Sequence, residues 1–167
     1  TLYFQADVVG DGNELWKSDG TSSGTTMVKD IWAGSGSGSP TELTVVGSTL
    51  YFTASDNTNG KELWKSDGTN AGTMMVKDIN SETGGTGDSD PSELTVIDTT
   101  LYFRANDGTN GEELWKSDGD SLSTVMVKDL NSETGGTGDS NPTFLIELAD
   151  MLYFRANDGT NVHELWQ

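Results

Sequence analysis

Apolar residues fall along this chain in short bursts, separated by joins rich in glycine, asparagine and aspartate. Within a burst the alternation has a period of two. In Leu50-Tyr51-Phe52-x-Ala54, Leu and Phe fall on one face of an extended segment and Tyr on the other. Three further strands follow this one. They are Glu62-Leu63-Trp64-Lys65, Met75-Val76-Lys77-Asp78-Ile79 and Glu93-Leu94-Thr95-Val96-Ile97. No apolar spacing of 3.6 residues persists for two turns, so helices are not expected. Joins such as NDGTNG and SDGTSSGT supply positive-φ positions and Asx turns. The pattern predicts an all-β protein of short antiparallel strands.

The bursts repeat. TLYFQA at Thr1 returns as TLYFTA at Thr49, TLYFRA at Thr100 and MLYFRA at Met151. Trp16, Trp64, Trp115 and Trp166 set the period at 48, 51 and 51 residues. The difference lies in one loop: Ala33 to Ser39 is short where the later copies carry SETGGTGD, which marks a surface segment. The whole chain, 1–167, therefore reads as a tandem-repeat region. A half unit covers 1–20 and three repeats cover about 21–69, 70–118 and 119–167. Four antiparallel strands every fifty or so residues is the pattern of β-propeller blades. A stacked β-repeat array or fibre is the alternative, because repeat units bury their apolar faces only against neighbours. Both ends fall inside a repeat, so the chain is expected to be a fragment of a longer array or assembly. Copies of itself or adjacent repeats, joined head to tail, are the expected partners.

The segments Glu14 to Ile31 and Glu62 to Ile79, with Glu-Leu-Trp-Lys-Ser-Asp-Gly-Thr, Gly-Thr and Val-Lys-Asp-Ile, resemble the ELWxxDGT-repeat family. That resemblance covers nearly the whole chain. It implies a large bacterial secreted or surface protein with a propeller-like fold, and it carries no catalytic residues over. The third copy departs from the pattern at Gly119-Asp120 and Ser123-Thr124.

Charge narrows the partners. With 27 acidic against 9 basic side chains the net charge is −18, which argues against nucleic acid and anionic membrane surfaces. Hydrophobic residues make up 32%, too few for a thick two-layer core but compatible with thin sheets. Cysteine is absent, and no apolar run approaches a membrane span.

Candidate chemistry is sparse. Oxygen-bearing side chains alternate in the loop from Asn106 through Asp107 and Thr109 to Glu112. Asp56 and Asp158 head the same loop in other copies, so these residues are candidate calcium ligands. The full D-x-[DN]-x-[DN]-G spacing is missing, and a metal-free Asx turn is the competing reading. GTGDSD at Gly85 and GTGDSN at Gly136 are weaker candidates. The Ser-Asp-Gly-Thr turns read as hairpin caps and the four repeated tryptophans as packing residues. A repeated acid in every copy reads as surface rather than as acid/base chemistry. Trp32, Phe144 and His163 depart from the repeat, and Trp32 is the best candidate for an exposed aromatic. His163 has no companion with which to build a metal site or a triad. The expected function is a non-enzymatic structural or adhesive module of an extracellular or cell-surface bacterial protein or filament. The alternative is a carbohydrate- or ligand-binding propeller domain that meets surface glycans.

Overall fold

The structure is a computed structural model that describes residues 1–81, 87–132, 138–160 and 163–167. Among the described residues fourteen strands form four antiparallel sheets, in agreement with the all-β expectation. The first sheet holds β1 (Leu2–Val8), β2 (Gly12–Ser18) and β3 (Thr26–Lys29). The second holds β4 (Thr41–Val46), β5 (Thr49–Asp56), β6 (Gly60–Ser66) and β7 (Met74–Lys77). The third holds β8 (Ser92–Ile97), β9 (Thr100–Asn106), β10 (Glu112–Ser117) and β11 (Val125–Lys128). The fourth holds β12 (Thr143–Leu148), β13 (Met151–Ala156) and β14 (Glu164–Trp166).

A sequence repeat has no intrinsic starting point; the hydrogen bonds between strands choose one. Each four-stranded sheet runs from Glu-Leu-Thr-Val through Leu-Tyr-Phe and Glu-Leu-Trp to Met-Val-Lys. Divisions after residues 20, 69 and 118 therefore fall within sheets, between the Glu-Leu-Trp strand and the strand that follows it. In the second, third and fourth sheets the entering strand is bulged at one place. Its register shifts between Thr41 and Thr44, Ser92 and Thr95, and Thr143 and Ile146. Glu42, Glu93 and Phe144 take φ of 57°, 59° and 56° there, the unpaired conformation a bulge requires.

Consecutive sheets pack face to back, and the strand alternation decides which residues meet. Leu15, Val28 and Ile31 of the first sheet pack on Leu50, Phe52, Ala54 and Trp64 of the second. Tyr51, Leu63, Val76 and Ile79 of the second pack on Leu101, Phe103, Ala105 and Trp115 of the third. Leu114 of the third packs on Phe154 and Ala156 of the fourth, with Trp166 beside them. Tyr51 thus points away from Leu50 and Phe52, as the period of two predicts. Trp64 and Trp115 are packing residues, each 5% exposed.

Polar latches fix the register between sheets. The Lys17 ammonium donates to the Gly68 carbonyl at 2.7 Å, and Lys65 does the same to Gly119 at 2.7 Å. Gly68 and Gly119 take φ of 86° and 99°, and a Cβ on either would lie within 2.4 Å of the Tyr3 or Tyr51 hydroxyl. Only glycine meets both demands. The turn that carries Gly68 is built as expected: Asp67 accepts the Thr69 N–H at 2.8 Å and the Thr69 hydroxyl at 2.7 Å. In the third copy Asp118 is released to Thr100. Asp120 caps instead, through the N–H groups of Leu122 and Ser123.

Candidate functional site

Three kinds of place on this scaffold are candidates for function: the buried glutamates, the Asx loops, and the hollows between sheets.

In the first three copies the glutamate of Glu-Leu-Trp is not a surface residue, whereas Glu164 in the fourth is exposed. Glu14, Glu62 and Glu113 are all fully buried, which corrects the reading of the repeated acid as surface. Glu62 accepts the Ile79 N–H at 3.0 Å, the Ser89 N–H at 3.2 Å and the Ser89 hydroxyl at 2.5 Å. Glu113 has the same partners in Leu130 and Ser140, and Glu14 in Ile31 and Gly38. The segment linking two sheets also donates back to strand six, Ser89 N–H to the Lys61 carbonyl at 3.1 Å. It receives the Asn106 N–H of the next sheet at 2.9 Å. Each glutamate is therefore the node where one sheet is tied to the next. Burial pushes the Glu62 carboxyl up to about 7; the bonds from Ser89 and Ile79 hold it down and Asp78 adds to the rise. Burial raises Glu14 and Glu113 as well.

The residues proposed for calcium lie in separate loops. Asp56 accepts the N–H groups of Thr58 and Asn59 at 2.8 and 2.6 Å and the Asn59 amide at 2.9 Å. Asp107 is bound in the same way by Thr109 and Asn110. Asp158 accepts from Thr160. Glu112 turns away to Arg104, 3.5 Å from its Nε. Each loop thus brings one carboxylate that already accepts from its own turn, where calcium takes six to eight oxygen ligands. Among the described residues no three His, Asp or Glu side chains gather at metal-binding distance. Gly85-Thr86 and Gly136-Thr137 of the GTGD candidates lie outside the described residues. These loops fit turns better than ions, and a chelator is expected to leave the thermal midpoint unchanged. An ion present at roughly a hundredfold excess over its dissociation constant would add about 2.7 kcal/mol, a shift of several degrees. A calorimetric scan with and without calcium decides between them.

The hollows differ in origin. One of about 430 Å³ lies between the third and fourth sheets, lined by Tyr102, Leu114, Leu130, Leu152 and Trp166 among others. Another, of about 510 Å³, lies between the Ser-Asp-Gly-Thr turns of the first two sheets. A third, of about 310 Å³, is lined by Trp32, Ser55, Asp56, Asn57, Gly60 and Asp88. It is the one that includes a departure from the repeat. Trp32 is half-buried rather than free of the surface. Phe144 is 70% exposed on β12, and His163 is exposed.

No family model matches the chain, and neither a curated protein nor a solved structure is significantly similar to it.

Proposed function

We propose that this chain is a non-enzymatic structural module of an extracellular bacterial surface protein or filament, a member of the ELWxxDGT-repeat group. Its sheets are consecutive propeller-type blades. Further blades, or copies of the chain, continue the array head to tail. The blade reading is supported by the neighbour relations of β4, β8 and β12, the entering strands, where β8 contacts both of the others. Contacts of this kind are expected of inner strands set about an axis.

One observation carries the assembly reading. The same leucine in the same strand position is buried or bare according to whether a sheet stands next to it. Leu50 and Leu101 are 3% and 0% exposed, while Leu2 is 65% exposed. Leu15, Leu63 and Leu114 are 0%, 0% and 4% exposed, while Leu165 is 78% exposed. The first sheet's bare back and the fourth sheet's bare front are the two halves of a contact made between every consecutive pair of sheets within the chain. A face of that kind is covered in a finished assembly.

The 167-residue chain is therefore expected to self-associate with rising concentration in light scattering. Sodium chloride should strengthen the association by screening the net charge of −18. Leu165→Asp and Leu2→Asp should each weaken it without changing the fold. A chain that stays monomeric at its highest soluble concentration in high salt overturns the reading.

A further inference from the structure

We propose that the hollow beside Trp32 binds a neutral saccharide ring, with the indole as the surface on which the sugar stacks. The argument starts from a comparison within the molecule. Asn80 and Asn131 occupy the position of Trp32 in the next two copies. Both are buried, 8% and 6% exposed. Asn80 donates its amide to the Asp88 carbonyl at 3.0 Å, and Asn131 to Asp139 at 3.1 Å. Their Oδ1 atoms lie against the backbone of the next sheet's Asx loop. A Cβ on Gly108 would be 2.4 Å from Asn80, and one on Gly159 would be 2.2 Å from Asn131. In both places an asparagine meets a glycine and closes the junction.

At the first junction both partners have changed. Trp32 replaces the asparagine, and Asn57 stands where Gly108 and Gly159 stand. The space between them is the hollow of about 310 Å³, at the lower end of the range for small-molecule sites. The short, glycine-rich loop supports the indole from one side. A Cβ on Gly36 would overlap the Trp32 ring at Cδ1, so this loop can close on the ring only with glycine there.

The polar atoms around the hollow point to the class of ligand. Both Asp56 oxygens are held by its own turn, and Asp88 Oδ1 accepts the Lys61 N–H at 2.7 Å. Asn57 Oδ1 accepts from the Thr58 hydroxyl at 3.2 Å. Among the described residues the groups without a partner are Asp88 Oδ2 as acceptor, Asn57 Nδ2 and Trp32 Nε1 as donors, and the Ser55 hydroxyl as either. A sugar ring offers an apolar C–H face for an aromatic and a rim of hydroxyls that both donate and accept. An organic cation would answer the carboxylate and the indole but leave both N–H donors unused.

The inference does not depend on self-association, so it is best tested on the Leu165→Asp chain. The measurement is a saturation-transfer NMR titration with glucose, galactose, mannose, N-acetylglucosamine and cellobiose. At least one is expected to bind, with little dependence on sodium chloride. Trp32→Asn, which restores the asparagine of the other copies, is expected to lower affinity by about tenfold or more. Asp88→Asn keeps an acceptor for the Lys61 N–H, so it should leave the melting temperature unchanged and still weaken binding. Phe144→Ala should leave it unchanged. The proposal is overturned if no saccharide binds, or if binding is indifferent to both Trp32→Asn and Asp88→Asn. It is equally overturned if tetramethylammonium binds there instead, with an affinity that falls as salt rises.

Discussion

Glu62→Ala is expected to cost about 3–5 kcal/mol of folding stability, because it removes the carboxylate acceptor of three buried donors, at about 1–3 kcal/mol for each donor left bare. The three donors are the N–H groups of Ile79 and Ser89 and the Ser89 hydroxyl, of which the Ser89 N–H keeps its bond to the Lys61 carbonyl. Glu62→Gln retains an acceptor and is expected to cost less, which makes it the better probe of charge. In the folded chain the Glu62 carboxyl is raised from 4.5 to about 7. The folded state therefore holds this proton to a higher pH than the unfolded state does. The stabilisation is fully present below pH 4.5 and is lost as the pH rises through about 7. Its size is about 3 kcal/mol. Measured from pH 4 to 8, the denaturant midpoint of wild type should fall relative to that of Glu62→Gln as the pH rises if the loss belongs to this carboxyl. Parallel pH profiles for the two proteins would place the charge elsewhere.

Phe103→Ala is expected to cost about 3–5 kcal/mol, the range for emptying an aromatic site in a packed core. Phe103 is fully buried between the second and third sheets, against Leu63, Val76 and Ile79. Phe4 is its counterpart in the first sheet and is only half-buried, on the back that no sheet covers. Phe4→Ala in the dissociated chain should therefore cost about 1–2 kcal/mol, the transfer of a partly shielded ring with no cavity left behind. Chemical denaturation of the two variants side by side measures the contrast. Equal costs would mean that the back of the first sheet is covered in solution.

Much of this architecture can be read from residue order. The period of two separates Leu50 and Phe52 from Tyr51, and the structure sends them to different junctions. The tryptophan recurring at one strand position is a packing residue for the same reason. The phase of the sheets is less legible, because it is decided where the linking segment bonds to both of its neighbours, through Ser89 and Ser140. The buried glutamates are hidden by composition, since one more acid in so acidic a chain looks solvated. Their partners lie 17 and 27 residues downstream, beyond any local pattern. One signal was available. Position 13 and its counterparts hold Asn, Lys, Glu and His, while the next residue is Glu every time. The Asx loops are ambiguous in sequence for a different reason. A carboxylate placed two residues before a donor serves a turn, and the same spacing imitates a ligand set.

Because the apolar clusters join only consecutive sheets, this chain behaves as a one-dimensional array of units coupled to their nearest neighbours. Melting the first or fourth sheet breaks one junction. Melting the second or third breaks two, so disorder enters from the ends and moves inward like a zipper. Unfolding of the isolated chain is then expected to start at the end sheets, so the costs of Glu62→Ala and Phe103→Ala belong to the inner sheets, which melt last. Each sheet added to the array contributes its own intrinsic term and one more coupling. Length itself becomes the means of adjusting stability, without any new kind of contact.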